Sequence, residues 1–121
     1  MKSRILIVDD EKDLVEIMKQ MLGSLGYDTI GFTDSREALT YFQNDHAVDL
    51  VILDQAMPHL TGIRLAEELL ALREDVPIVL TTGYMDALSE DDIKEKGIRR
   101  LIYKPLRRRD LSMIVFELLT K

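Results

Sequence analysis

Three aspartates, a threonine and a lysine stand where short apolar runs give out. Asp9 and Asp10 follow Ile5 to Val8, Asp54 ends the run from Leu50, Thr82 follows the run through Leu80, and Lys104 follows Leu101-Ile102-Tyr103. Carboxylates held a few ångströms apart repel one another, so a fold that gathers three of them normally stabilises them with a cation. Oxygen donors without Cys or His favour Mg²⁺, which keeps several waters and uses one or two carboxylates. A carboxylate can also attack phosphorus and form an aspartyl phosphate, after which the protein has mainly to position groups and neutralise charge. On this reading Asp54 is the nucleophile, Asp10 and Asp54 are direct metal ligands, and Asp9 acts partly through water. The Lys104 ammonium and the Thr82 hydroxyl are placed to contact phosphoryl oxygens.

Such chemistry requires the chain to bring distant residues to one place. The runs 5–8, 50–53, 76–80 and 101–103 are apolar at successive positions and of strand length, and 27–32 contains a further strand. Between them lie helical stripes: Leu14, Ile17, Met18, Met21, Leu22 and Leu25; Ala38, Leu39 and Phe42; Ile63, Leu65, Ala66, Leu69, Leu70 and Leu72; a weakly amphipathic stretch over 89–96; and Leu111, Ile114, Val115, Leu118 and Leu119. Thr33-Asp34-Ser35 supplies cap chemistry for the second helix, which is expected to end at Asn44-Asp45-His46. Strand and helix alternate five times, and strands without polar alternation are covered on both faces. The expected fold is an α/β, doubly wound, five-stranded parallel sheet with five helices and the flavodoxin-like order 2-1-3-4-5. All carboxyl ends of a parallel sheet lie on one edge, which gathers the five residues.

The 121 residues suit one domain over 1–121, with 46% hydrophobic and 31% charged residues. A net charge of −6 disfavours direct binding to nucleic acid, and the absence of Cys excludes disulfides and thiolate metal sites. The first apolar run is too short for a signal peptide or a membrane span, so a cytoplasmic location is expected. No Walker or GxGxxG pattern is present.

The chain resembles the response-regulator receiver family along its whole length. The resemblance rests on the acidic pair with Glu11, on Asp54 with Met57-Pro58 and Gly62 behind it, on Thr82-Gly83, and on Lys104-Pro105. It implies an Asp54 phosphorylated by a histidine kinase or a histidine phosphotransfer domain, dependence on Mg²⁺, a backbone carbonyl ligand from Ala56, and a cis Lys104–Pro105 bond. The resemblance also reaches the receiver modules of sensor kinases. Relatives usually carry an aromatic ring three residues before the lysine, a ring that moves with the threonine; here that position is Leu101. Tyr103 is expected on the opposite face and so unable to replace it. Ala56, Gly83 and Tyr84 are expected to flank the phosphoryl group and tune its lifetime.

Taken singly, Asp54 reads as a loop or capping residue, Asp9 and Asp10 as helix-terminal acids, Thr82 as a strand-end hydroxyl and Lys104 as a solvated charge. Only their common edge changes this. His59 and His46 read as surface residues. Six of the 16 basic residues fall between Arg99 and Arg109 and read as a solvated face. A Mg²⁺-dependent phosphatase would want a second acid two residues beyond the nucleophile, where Ala56 stands. A binding module independent of phosphorylation is the other alternative, with Leu101 its support.

Overall fold

The structure, a computed structural model, describes residues 2–44, 47–83 and 88–120. Five strands, β1 (Arg4–Val8), β2 (Asp28–Phe32), β3 (Leu50–Asp54), β4 (Ile78–Thr82) and β5 (Arg100–Tyr103), alternate with five helices. The helices are α1 (Lys12–Ser24), α2 (Ser35–Asn44), α3 (Gly62–Leu72), α4 (Glu90–Lys94) and α5 (Arg108–Leu119). The strands form one parallel sheet in the order β2-β1-β3-β4-β5, as the alternation of elements predicts.

Every residue of β3 and β4 is buried, which explains runs without polar alternation. On one face Leu6, Val51, Leu53, Ile78, Leu80 and Leu101 pack against α2, α3 and α4. On the other, Ile5, Ile7, Leu50, Ile52, Val79 and Ile102 pack against α1 and α5. Fully burying one such aliphatic side chain contributes about 1.5–3 kcal/mol, so the central strands are firmly held in register.

The bounds of two elements, β4 and α4, and two placements differ from the sequence expectations. The fourth strand starts at Ile78, not Val76, because Pro77 has no N–H to donate; its carbonyl still accepts from Val51. The strand also runs on past Leu80 through Thr81 and Thr82, which pair with Asp54 and Tyr103. The fourth helix is shorter than 89–96: Ser89 caps it in a reciprocal capping box with Asp92. It is closed by the Ile98 N–H on the Ile93 carbonyl, with Gly97 at φ 85°. The second helix ends at Asn44 within the described residues, Asp45 and His46 lying outside them. On α1 the buried residues are Val15, Met18 and Leu22, while Ile17 and Leu25 face solvent; the helical period turns Val15 inward.

Tyr103 shares a face with Leu101, which corrects the expectation of opposite faces. Residues two apart on a strand point the same way, with the intervening Ile102 on the α1–α5 side. Leu101 packs in the cluster that includes Leu88, and the Tyr103 hydroxyl donates to the Leu88 carbonyl.

Candidate functional site

Asp9 and Asp54 are brought together by the parallel pairing of β1 with β3, which sets Val8 beside Leu53. Asp54 is the last residue of β3 and Asp9 follows β1 directly; both are buried, whereas Asp10 is exposed. The Lys104 ammonium lies between the buried acids, 3.1 Å from Asp54 Oδ1 and 3.2 Å from Asp9 Oδ2. The second oxygen of Asp9 accepts from the Glu11 N–H at 2.9 Å, which orients the carboxylate at the start of α1. Among the described residues, one oxygen from each of Asp9, Asp10 and Asp54 can be chosen so that all lie within 4.8 Å of one another.

Burial raises the Asp54 carboxyl above the usual range, and the charges of Asp9 and Asp10 add to this, against the hydrogen bond and charge of Lys104. Burial lowers the Lys104 ammonium, but the hydrogen bond to Asp54 and the charge of Asp9 outweigh it and leave the ammonium raised. The cluster therefore holds three acids against one cation, with acceptor oxygens only. A hard divalent ion fits that donor set, because it offsets the excess negative charge without requiring nitrogen or sulfur.

The loop after β3 is held from several sides. Gly62 donates to the Gln55 carbonyl at 3.1 Å, the Gln55 side chain accepts from the Ile63 N–H at 2.9 Å, and Thr61 caps α3. Ala56 is exposed on this loop, Met57 is buried, and exposed His59 takes φ 70°. Thr82 is fully buried at the end of β4, its hydroxyl donating to the Gly83 carbonyl. Leu101 is buried, and the Lys104–Pro105 peptide is cis. Tyr84 lies outside the described residues.

Two site residues escape a reading of the sequence. Ser35, at the start of α2, donates to the Pro58 carbonyl at 3.3 Å and accepts from the Leu60 N–H at 3.2 Å, so it ties α2 to the β3–α3 loop. Thr81 pairs with Asp54 in the β3–β4 register and its hydroxyl reaches Asp54 Oδ1 at 3.4 Å. The Thr81-Thr82 doublet at the end of an apolar run was the available signal; the register was needed to read it.

Residues 5–116 match the family model of the response regulator receiver domain. The chain belongs to the response regulator receiver family. This receiver is 34% identical, over 99% of its length, to a probable transcriptional regulator ycf27 of Porphyridium aerugineum. It is 29% identical over 98% of its length to the response regulator SaeR of Staphylococcus aureus. The chain covers 49% and 51% of those two proteins, so it spans about half the length of these curated relatives. Its fold superposes on a receiver domain protein of Clostridium thermocellum with a TM-score of 0.92 at 25% identity, covering 97% and 94% of the two chains. A CheY-like receiver domain protein of Methanospirillum hungatei gives 0.89 at 30% identity, covering 98% and 94%. The receiver is thus a signalling domain of two-component systems.

Proposed function

We propose that Asp54 accepts a phosphoryl group from the phosphohistidine of a histidine kinase or phosphotransfer domain, in a Mg²⁺-dependent reaction in the cytoplasm. The observation that carries this reading is the pairing of a buried Asp54 with Lys104 beside Asp9 and Asp10 at one sheet edge. Asp10, Asp54, Asp9 and the Ala56 carbonyl would hold the ion, whose chemistry there is to offset negative charge on carboxylate and phosphoryl oxygens. An Asp54 oxygen forms the O–P bond as the P–N bond to the donor imidazole breaks. Lys104 favours the ionised form of the acceptor carboxylate beforehand, against its burial, and then contacts a phosphoryl oxygen, with Thr82 serving a second one. Leu101 and Thr82 carry the change toward α4 and β5, while Ala56, Gly83, Tyr84 and Pro105 border the group and set water access. The same site returns the chain to its starting state by hydrolysis of the acyl phosphate.

Ala56 offers no acid two residues beyond Asp54, so multiple turnover on small phosphate esters is disfavoured. No described helix is long and apolar enough to cross a membrane. Purified protein with Mg²⁺ and acetyl phosphate is expected to acquire a hydroxylamine-sensitive phosphoryl group. Asp54→Ala removes the label; equal labelling of that variant, or none of the wild type, overturns the proposal.

A further inference from the structure

The Thr81 hydroxyl has no part in the chemistry above, yet it touches the reacting side chain. Thr81 is 1% exposed, sits opposite Asp54 in the β3–β4 register, and points to the same face of the sheet. Its Oγ1 lies 3.4 Å from Asp54 Oδ1 and 3.4 Å from the Leu53 carbonyl. A hydroxyl has one proton to donate, and of two acceptors at equal distance the charged carboxylate is the stronger. Lys104 binds that same Oδ1 at 3.1 Å, and among the described residues no hydrogen bond reaches Oδ2. Two donors, one on β4 and one just past the end of β5, therefore grip one oxygen and restrict rotation of the carboxylate.

We propose that Thr81 is a positioning residue for phosphoryl acceptance: its hydroxyl, together with Lys104, pins one Asp54 oxygen and so keeps the other presented for reaction. This rests on the reading of Asp54 as the acceptor. A β-branched apolar residue would fill the same space in the strand, so the hydroxyl is the part of Thr81 under test.

Four proteins decide it: wild type, Thr81→Val, which keeps the shape and removes the donor, and the pair Thr81→Ser and Thr81→Ala, which differ by the hydroxyl. Each is checked for folding by urea unfolding. The readouts are the labelling rate at saturating acetyl phosphate and Mg²⁺, the acetyl phosphate concentration at half-saturation, and the Mg²⁺ dissociation constant measured by amide NMR without a phosphodonor. A long charge-assisted bond of this kind predicts that Thr81→Val loses about three- to tenfold in saturating rate. Half-saturation by acetyl phosphate stays unchanged, Mg²⁺ binds more weakly because a partner of one of its ligands is lost, and Thr81→Ser exceeds Thr81→Ala in rate. Wild-type rate and Mg²⁺ affinity in Thr81→Val overturn the proposal, as does equal impairment of the Ser and Ala variants, which would assign the effect to packing. Wild-type protein that takes no label overturns the reading of Asp54 itself and this proposal with it.

Discussion

Asp54 holds its proton more readily than an ordinary carboxylate because burial and the charges of Asp9 and Asp10 outweigh Lys104. The native state then binds more protons than the unfolded chain between the ordinary carboxylate value and the raised one. The contribution of Asp54 to stability is full below the ordinary value and is lost as pH rises through the raised one. Lys104→Met removes the groups that pull Asp54 down, so it raises the carboxyl further and extends that loss to higher pH. We expect Lys104→Met to be about 1–2 kcal/mol less stable than wild type at about pH 7, and closer to it at about pH 5. Urea unfolding without divalent cations checks this; an equal difference at both pH values would remove Asp54 from the account. Four of the charged site residues were legible because each ends an apolar run in a charge. Thr81 was not, since a threonine in such a run serves equally as a β-branched filler until the register sets it opposite Asp54. Ser35 was hidden in the same way, reading only as part of a helix start while bridging to a loop 23 to 25 residues away.

Elements were readable where burial dictated their pattern and misread where a local rule took over. Continuous apolar runs marked the central strands, and Pro77 moved the start of β4 by withdrawing a donor, which a scan of hydropathy does not register. Likewise α4 is bounded by the capping box at Ser89 and by Gly97, not by the reach of its apolar residues, of which only Ile93 is buried. The β3–α3 connection shows the strictest local demand. A Cβ on Gly62 would stand 2.6 Å from the Asp54 carbonyl oxygen, 2.9 Å from the Gln55 Cα and 2.5 Å from a Leu80 methyl. Two of these neighbours are backbone and have little room to yield. Gly62→Ala is therefore expected to lose about 1–3 kcal/mol, lowering Tm by roughly 5–10 °C. Because the displaced backbone carries the acceptor, Asp54 labelling should slow as well. Thermal unfolding with a labelling time course tests both, and an unchanged Tm would contradict the geometry.

At the scale of the whole molecule, the sheet gathers the charged residues at its carboxyl edge and must pass any change there outward through packed side chains. The order β3-β4-β5 makes the route short: Asp54 pairs with Thr81, and the next residue, Thr82, pairs with Tyr103. Tyr103, 45% exposed, reaches beyond the sheet to the carbonyl of Leu88, just ahead of α4. Beneath it Leu101 packs with Ile93, the single buried residue of α4. Few apolar contacts hold this five-residue helix, so a hydrogen bond at its entrance weighs more there than in the central strands. Tyr103→Phe removes the donor while the ring and its position on β5 stay. The loss of about 1 kcal/mol should speed local opening by roughly fivefold. Native-state hydrogen exchange should therefore show faster exchange for amides 89–96, with β1 and β3 at wild-type rates and Asp54 labelling unaffected. Uniform acceleration across the sheet would instead mean that the hydroxyl supports global stability, and unchanged exchange at α4 would mean that Leu101 and Ile93 hold the helix without it.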